Sequence, residues 1–128
     1  MNAPLKKNKK AGQPQKGSPA FSFKDLFQFS KPEIDAAFKD AQRISGTKEF
    51  TLLQSPTDRD YGKMLIIISR KVGKAHDRNL LRRRLKAIFY ENELYKQKST
   101  FILLTRLGAI NINFKALQQF LTNSIQQS

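Results

Sequence analysis

Cysteine and tryptophan are absent from this 128-residue chain, histidine occurs once, and aspartate and glutamate together number only ten. Without cysteine there is no disulfide scaffold, no zinc ribbon and no thiol nucleophile. A single histidine, His76, cannot form the imidazole pair that shuttles protons in many nucleases. Asp58, Asp60 and Asp77 are scattered between a loop and a helix start, not gathered as a carboxylate cluster for two metal ions. Asp77 suits helix capping better, and His76 suits a turn position or a ligand contact better than a general base. Long apolar runs are missing too. The longest, Met64 to Ile68, falls far short of the roughly 20 residues that cross a bilayer. Lys6, Lys7, Lys9 and Lys10 are not followed by an apolar stretch, so no signal peptide is expected and a cytoplasmic location is the default.

What the chain has in excess is positive charge. Lysine and arginine outnumber the acids by 24 to 10, a formal net charge of +14 and a pI near 10.3. That is far beyond what solubility asks for, and it points to a polyanionic partner, nucleic acid foremost. The length suits one domain with one core. Residues 1–20 carry no acid, no aromatic residue and few aliphatics, so burial cannot offset the entropy of ordering them, and they read as a disordered basic arm. Residues 21–128 read as one domain. Phe21, Phe23, Phe27 and Phe29 open it with too much aromatic surface to stay bare, and are expected to pack over its edge.

Ser30 followed by Glu33 is a capping-box pattern, with Pro32 harmless in the first turn. Ile34, Ala37, Phe38 and Ala41 keep helical spacing and Gly46 supplies a stop, which predicts a helix over 31–44. Residues 49–54 read as a strand, 55–61 as a loop and 62–70 as a second strand, whose unbroken aliphatic run predicts cover on both faces. A long helix follows over about 77–95, with Leu81, Leu85, Ile88 and Phe89 on one face. A last strand over 99–106, a turn at Gly108 and a helix near 113–125, with Leu117, Phe120 and Leu121 at helical spacing, complete the chain. The layout is α+β, one helix bridging two core strands.

The densest charge lies between the second strand and the long helix. Residues 69–86 hold eight lysines and arginines against one acid. Arg70, Lys71 and Lys74 surround Gly73 in the turn, while Arg78, Arg82 and Lys86, each four apart, stack into one helical stripe with Asn79 and Arg83 on the row beside it. Like charges so placed repel by a few tenths of a kcal/mol per pair, and phosphates are the natural compensation. Guanidinium forks engage phosphate oxygens bidentately, and Asn79 offers polar atoms to a base edge or a 2′-hydroxyl. No helix-turn-helix, finger or zipper pattern argues for DNA. A ribosomal or rRNA-binding protein and a self-sufficient nuclease are the competing readings.

These residues also resemble a family. Arg78, Asn79, Arg82, Arg83 and Lys86, after the turn Ser69 to Ala75, are similar in type and spacing to the basic motif of bacterial ribonuclease P protein subunits, and Ser30 to Phe38 and Thr100 to Thr105 resemble other family segments. The resemblance spans about residues 29–122. It implies a small two-layer α/β sandwich, with a mixed sheet of about four strands and three helices, like domain two of a ribosomal protein, with a left-handed crossover through the long helix. It further implies a subunit of an endoribonuclease that matures tRNA 5′ ends, with the catalytic RNA and precursor tRNA as partners and neither membrane nor obligate protein partner. The RNA would carry out the hydrolysis with Mg2+, the protein alone binding no cofactor. Arg70, Lys71, Lys74, Arg78, Asn79, Arg82, Arg83 and Lys86 would contact the RNA subunit. Ile34, Phe38, Thr51 and Leu53 would line a cleft for the single-stranded 5′ leader, where contact with base faces tolerates varied sequence. The chain departs from the pattern at Leu80, where the family has a basic residue, and at Ile34, where it has an aromatic one.

Overall fold

The computed structural model describes residues 21–126; the basic arm expected over 1–20 lies outside them. Four strands, β1 (Gln42–Gly46), β2 (Phe50–Ser55), β3 (Lys63–Ile68) and β4 (Thr100–Thr105), accompany three α-helices, α1 (Lys31–Lys39), α2 (Ala75–Glu91) and α3 (Phe114–Gln126). The sheet runs β1-β2-β4-β3. β1 and β4 flank β2 antiparallel to it, and β3 lies parallel to β4. Parallel neighbours need a crossover, and α2 supplies it.

Alternation along the strands sorts the sheet into two unlike faces. Phe50, Leu52, Met64, Phe101 and Leu103 join Leu81, Leu85, Ile88 and Phe89 of α2 and Leu117, Leu121 and Ile125 of α3 in the main core. Phe120 stacks on Phe50 with ring centroids 5.5 Å apart, and Phe89 meets Phe101 edge-on. The opposite face carries rows set by the register: Ser55, Thr100 and Lys63; then Leu53, Ile102 and Leu65; then Thr51, Leu104 and Ile67. Among the described residues short α1 covers part of this side, packed on β2, with Ala37 and Ile102 buried outside the main core.

The helix starts follow from capping. Ser30 Oγ accepts from the Glu33 amide at 3.3 Å, and the Glu33 carboxylate accepts from the Ser30 amide at 2.9 Å, the two halves of the expected box. α1 stops at Lys39, however, five residues earlier than its spacing suggests. Residues 42–46 form edge strand β1 instead, closed into a hairpin by Thr47, whose hydroxyl accepts from the Glu49 and Phe50 amides. Pairing with β2 outcompetes a further helical turn. The register shifts between Arg43 and Ser45, so that Arg43 sits opposite Leu53 while Ser45 turns to the core side, where Ser124 of α3 reaches it at 2.8 Å.

α2 begins two residues before the expected start and ends at Glu91, where Asn92 caps it and the chain turns through a left-handed Glu93 into a 3₁₀ turn over Leu94–Lys96. Asp77 caps α2 from its first turn, accepting from the Lys74 amide at 3.3 Å. The reciprocal bond of a full box is impossible there, because a lysine side chain has no acceptor. After β4, Gly108 takes φ 96°, a left-handed turn that glycine adopts without strain. Asn113 then accepts from the Ala116 amide at 2.8 Å, starting α3. The expectation that the second strand is covered on both faces fails. β3 is an edge strand tied to α1 at its first residue, Lys63, and Ile67 further along stays 38 % exposed; β4, at the centre, is the strand buried almost throughout.

Candidate nucleic-acid interface

The turn before α2 is tightly built. Ser69 Oγ accepts from the Lys71 amide, Val72 anchors the turn in the core, and Arg70 and Lys71 are left exposed on its rim. Gly73 is extended, so its role is not a left-handed backbone. A Cβ there would stand 2.8 Å from a carboxylate oxygen of Asp77 and 3.0 Å from the Asp77 Cβ, so the close approach of turn and helix is what requires glycine. Arg78 Nη1 donates to the Gly73 carbonyl at 2.9 Å, bracing the turn against the helix. Lys74 points to solvent at the helix start.

Along α2 the expected stripe is present. Arg78, Arg82 and Lys86 flank the buried face at half exposure, and Asn79 and Arg83 stand exposed beside them. Arg82 Nη1 donates to the Asn79 side-chain oxygen at 3.2 Å. That engages the acceptor of Asn79 and turns its amide group, a donor, outward. Lys86 Nζ lies 5.5 Å from the centre of the Phe27 ring, within cation–π range. All eight ridge residues named from the sequence thus lie on one continuous surface made of the turn and one side of α2. His76 is exposed, with Nε2 3.3 Å from Asp77, and among the described residues no group of three or more His, Asp or Glu side chains can hold a metal ion.

The second predicted set lies on α1 and on the sheet face that α1 packs against. Ile34 and Phe38 share the α1 face that carries buried Ala37, and Thr51 and Leu53 share the sheet face that carries buried Ile102. Phe38 is 43 % exposed, too open for a core residue and well placed for a wall. Sequence reasoning missed the rest of the floor, Leu65 and Ile67 of β3 and Leu104 of β4, and Arg43 at the rim opposite Leu53. Strand alternation was the available signal, but only the register tells which alternate set faces α1. With Leu53, Leu65, Ile67, Ile102 and Leu104 as floor, this surface offers apolar contact and few polar groups to read base edges.

An ionic cluster around buried Lys63 ties α1 to the sheet edge, and sequence reasoning missed it as well. Lys63 begins β3 only 5 % exposed, and its ammonium donates to the Glu33 carboxylate at 2.9 Å and to the Gln28 carbonyl, with the Phe29 ring 4.3 Å away. Arg59 Nη2 donates to the Thr100 hydroxyl at 2.6 Å and its other terminal nitrogen lies 4.0 Å from Glu33. The Ser30 amide bond first, and the Lys63 ammonium second, lower the pKa of Glu33 to about 2. The arrangement ties the first turn of α1 and the segment before it to the sheet edge. It fixes how far the wall stands from the floor.

Comparison with known proteins agrees with the motif. A family model, Ribonuclease P, matches residues 29–128. The ribonuclease P protein component of Helicobacter hepaticus is 40 % identical over 115 aligned residues, covering 74 % of this chain and 78 % of that protein. That of Onion yellows phytoplasma is 30 % identical over 89 residues, covering 69 % of this chain and 63 % of its own length, so the chain spans just under two thirds of this relative. Among solved structures, the RNase P protein from Thermotoga maritima superposes with a TM-score of 0.69 at 21 % identity, covering 80 % of this chain and 96 % of that one.

Proposed function

The chain belongs to the ribonuclease P protein family, whose work is the 5′ maturation of transfer RNA, and we propose that it acts there as a binding subunit with two surfaces, one for the catalytic RNA and one for the substrate leader. The turn and α2 ridge, through Arg70, Lys71, Lys74, Arg78, Asn79, Arg82, Arg83 and Lys86, grips the folded RNA subunit by its phosphates. The cleft of Ile34, Phe38, Thr51 and Leu53, widened by Leu65, Ile67 and Leu104, receives the unpaired 5′ leader of precursor tRNA. Hydrolysis is left to the RNA subunit and the Mg2+ it binds, and the side chains of the protein take no part in bond breaking. The setting is cytoplasmic, and no further protein partner is required.

The observation that carries this reading is the ridge itself. Eight Lys, Arg and Asn side chains lie on one surface, with a close-packed glycine turn built to hold it, and a polyanion is the natural compensation for that density of like charge. The apolar floor supports the second surface, because aliphatic and aromatic contact with base faces serves leaders of differing sequence. Reconstitution tests the whole. Precursor tRNA incubated with protein alone should stay intact, and adding the RNA subunit should produce the mature 5′ end at a lower Mg2+ concentration than RNA alone requires. Cleavage by protein alone would identify a nuclease instead. Tight binding to ribosomal RNA without any effect on tRNA ends would identify an rRNA-binding protein.

A further inference from the structure

The cationic row on α2 does not end at Lys86. Four residues on, at the next position of the same row, stands Tyr90, 41 % exposed. Its ring meets that of Phe23 edge-on, with centroids 5.1 Å apart, and Phe23 is itself 44 % exposed. Phe23 in turn touches Phe27 at 5.1 Å, the ring over which Lys86 extends. The winding basic row thus leads at Lys86 into an exposed aromatic step, about 18 Å along the helix and about 120° round it from Arg78.

The step is built by residues that burial alone does not explain. Leu26 of the same segment is fully buried and Phe27 packs against Phe89, so the segment is anchored to the core without Phe23. Phe23 and Tyr90 leave much of their surfaces in water, which costs apolar burial unless a partner covers them. The segment from Phe21 to Gln28 also precedes the part of the chain that matches the family model. Glu91, the exposed acid next in sequence, lies about 100° round the helix from Tyr90.

We propose that the Phe23–Tyr90 pair is a second contact for the catalytic RNA, receiving one unpaired base against its open ring faces while the arginine row beside it holds the flanking phosphates. The inference rests on the reading of the ridge as the RNA-subunit surface. A base suits the place better than a second copy of this chain, since two molecules of charge +14 meeting ridge to ridge repel, whereas RNA brings the opposite charge and rings of matching polarity.

The test is equilibrium binding of the full chain to the catalytic RNA across a salt series. Tyr90→Ala and Phe23→Ala should each weaken binding about ten-fold at every salt concentration, the scale of one stacked base, with the salt slope unchanged because no phosphate contact is lost. Tyr90→Phe should bind as the wild type does. The chain has no tryptophan, so Tyr90→Trp is a lone reporter at the site. Its fluorescence should be quenched when RNA is added, and this readout stands even if an alanine variant folds poorly. Folded alanine variants that bind like the wild type, or a Tyr90→Trp signal indifferent to RNA, would overturn the proposal while leaving the ridge intact. Self-association of the wild type that either alanine variant abolishes would overturn it in favour of a homodimer contact. Absence of salt-sensitive RNA binding in the wild type would instead defeat the ridge reading on which it depends.

Discussion

Replacing Lys63 by methionine keeps the aliphatic stem in its buried slot and deletes only the ammonium that joins Glu33 and the Gln28 carbonyl. A hydrogen bond to a charged group contributes about 1.5–3 kcal/mol where its partner is left stranded. Here the partners are not stranded. The Glu33 side chain is 39 % exposed and keeps its bond to the Ser30 amide, so water recovers part of the loss and about 1–2 kcal/mol remains. For a domain of about 100 residues that lowers Tm by roughly 5–10 °C at pH 7. The same variant should change the acid limb of the stability curve. In the wild type the carboxyl of Glu33 is held at about 2 against an ordinary 4.5. Its contribution is therefore complete above about pH 4.5 and lost as pH falls toward 2, amounting after solvent screening to about 1 kcal/mol. Without Lys63 the folded-state pKa rises part of the way back, the Ser30 amide still holding it down, and the acid loss becomes shallower. Thermal melts from pH 7 to pH 2 read both effects. Because α1 is tied less firmly, affinity should fall for leader-bearing substrate and not for the RNA subunit. A Lys63→Met chain with wild-type Tm, wild-type acid profile and unchanged leader binding would refute the assignment of this cluster as the tether of the cleft wall.

Phe38→Ala should weaken binding of precursor tRNA with a leader about ten-fold, leave leaderless tRNA unaffected, and lower Tm by only a few degrees, since the ring is 43 % exposed; simple unfolding on this substitution would place Phe38 in the core. Gly73→Ala should push the turn away from Asp77, cost about 1–2 kcal/mol in a denaturant titration, and weaken RNA-subunit binding. Adding Asp77→Ala should restore part of that binding, because it removes the side chain that a Cβ at residue 73 would meet at 2.8 Å. Ile67→Asp, a charge set in the cleft floor, should repel leader phosphates and reduce leader affinity with little change in Tm, as Ile67 already meets solvent.

How much of this was legible beforehand depended on whether the information was local. The Ser30–Glu33 box, the buried face of α2 and the Leu117–Leu121 face of α3 are patterns within a few residues, and each appears where spacing put it. The basic ridge was legible for the same reason, one turn and the helix that follows it carrying all of it. β1 was hidden because Ala37, Phe38 and Ala41 continue a helical spacing that chain reversal at Asp40 cuts short, and because an edge strand of five residues with a register shift has little periodicity of its own. The aliphatic run of β3 looks like that of β4, and only the strand order makes one an edge and the other the centre. Lys63 lies inside the strand expected over 62–70, where nothing local marks it for burial. Its burial depends on Glu33, thirty residues earlier, a pairing no local pattern shows. Half of the cleft was named from resemblance, and its β3 and β4 floor required the register.

The central claim is that the ridge from Arg70 to Lys86 is held opposite the phosphates of a folded RNA. Its most direct test is the affinity of the full chain for the ribonuclease P RNA measured across a range of salt concentrations, with Arg82→Ala and Arg83→Ala alongside. Affinity should fall steeply and linearly on logarithmic axes, and each substitution should shallow the slope by about one unit for the contact removed. A wild-type affinity indifferent to salt, or folded variants whose slope matches the wild type, would contradict it.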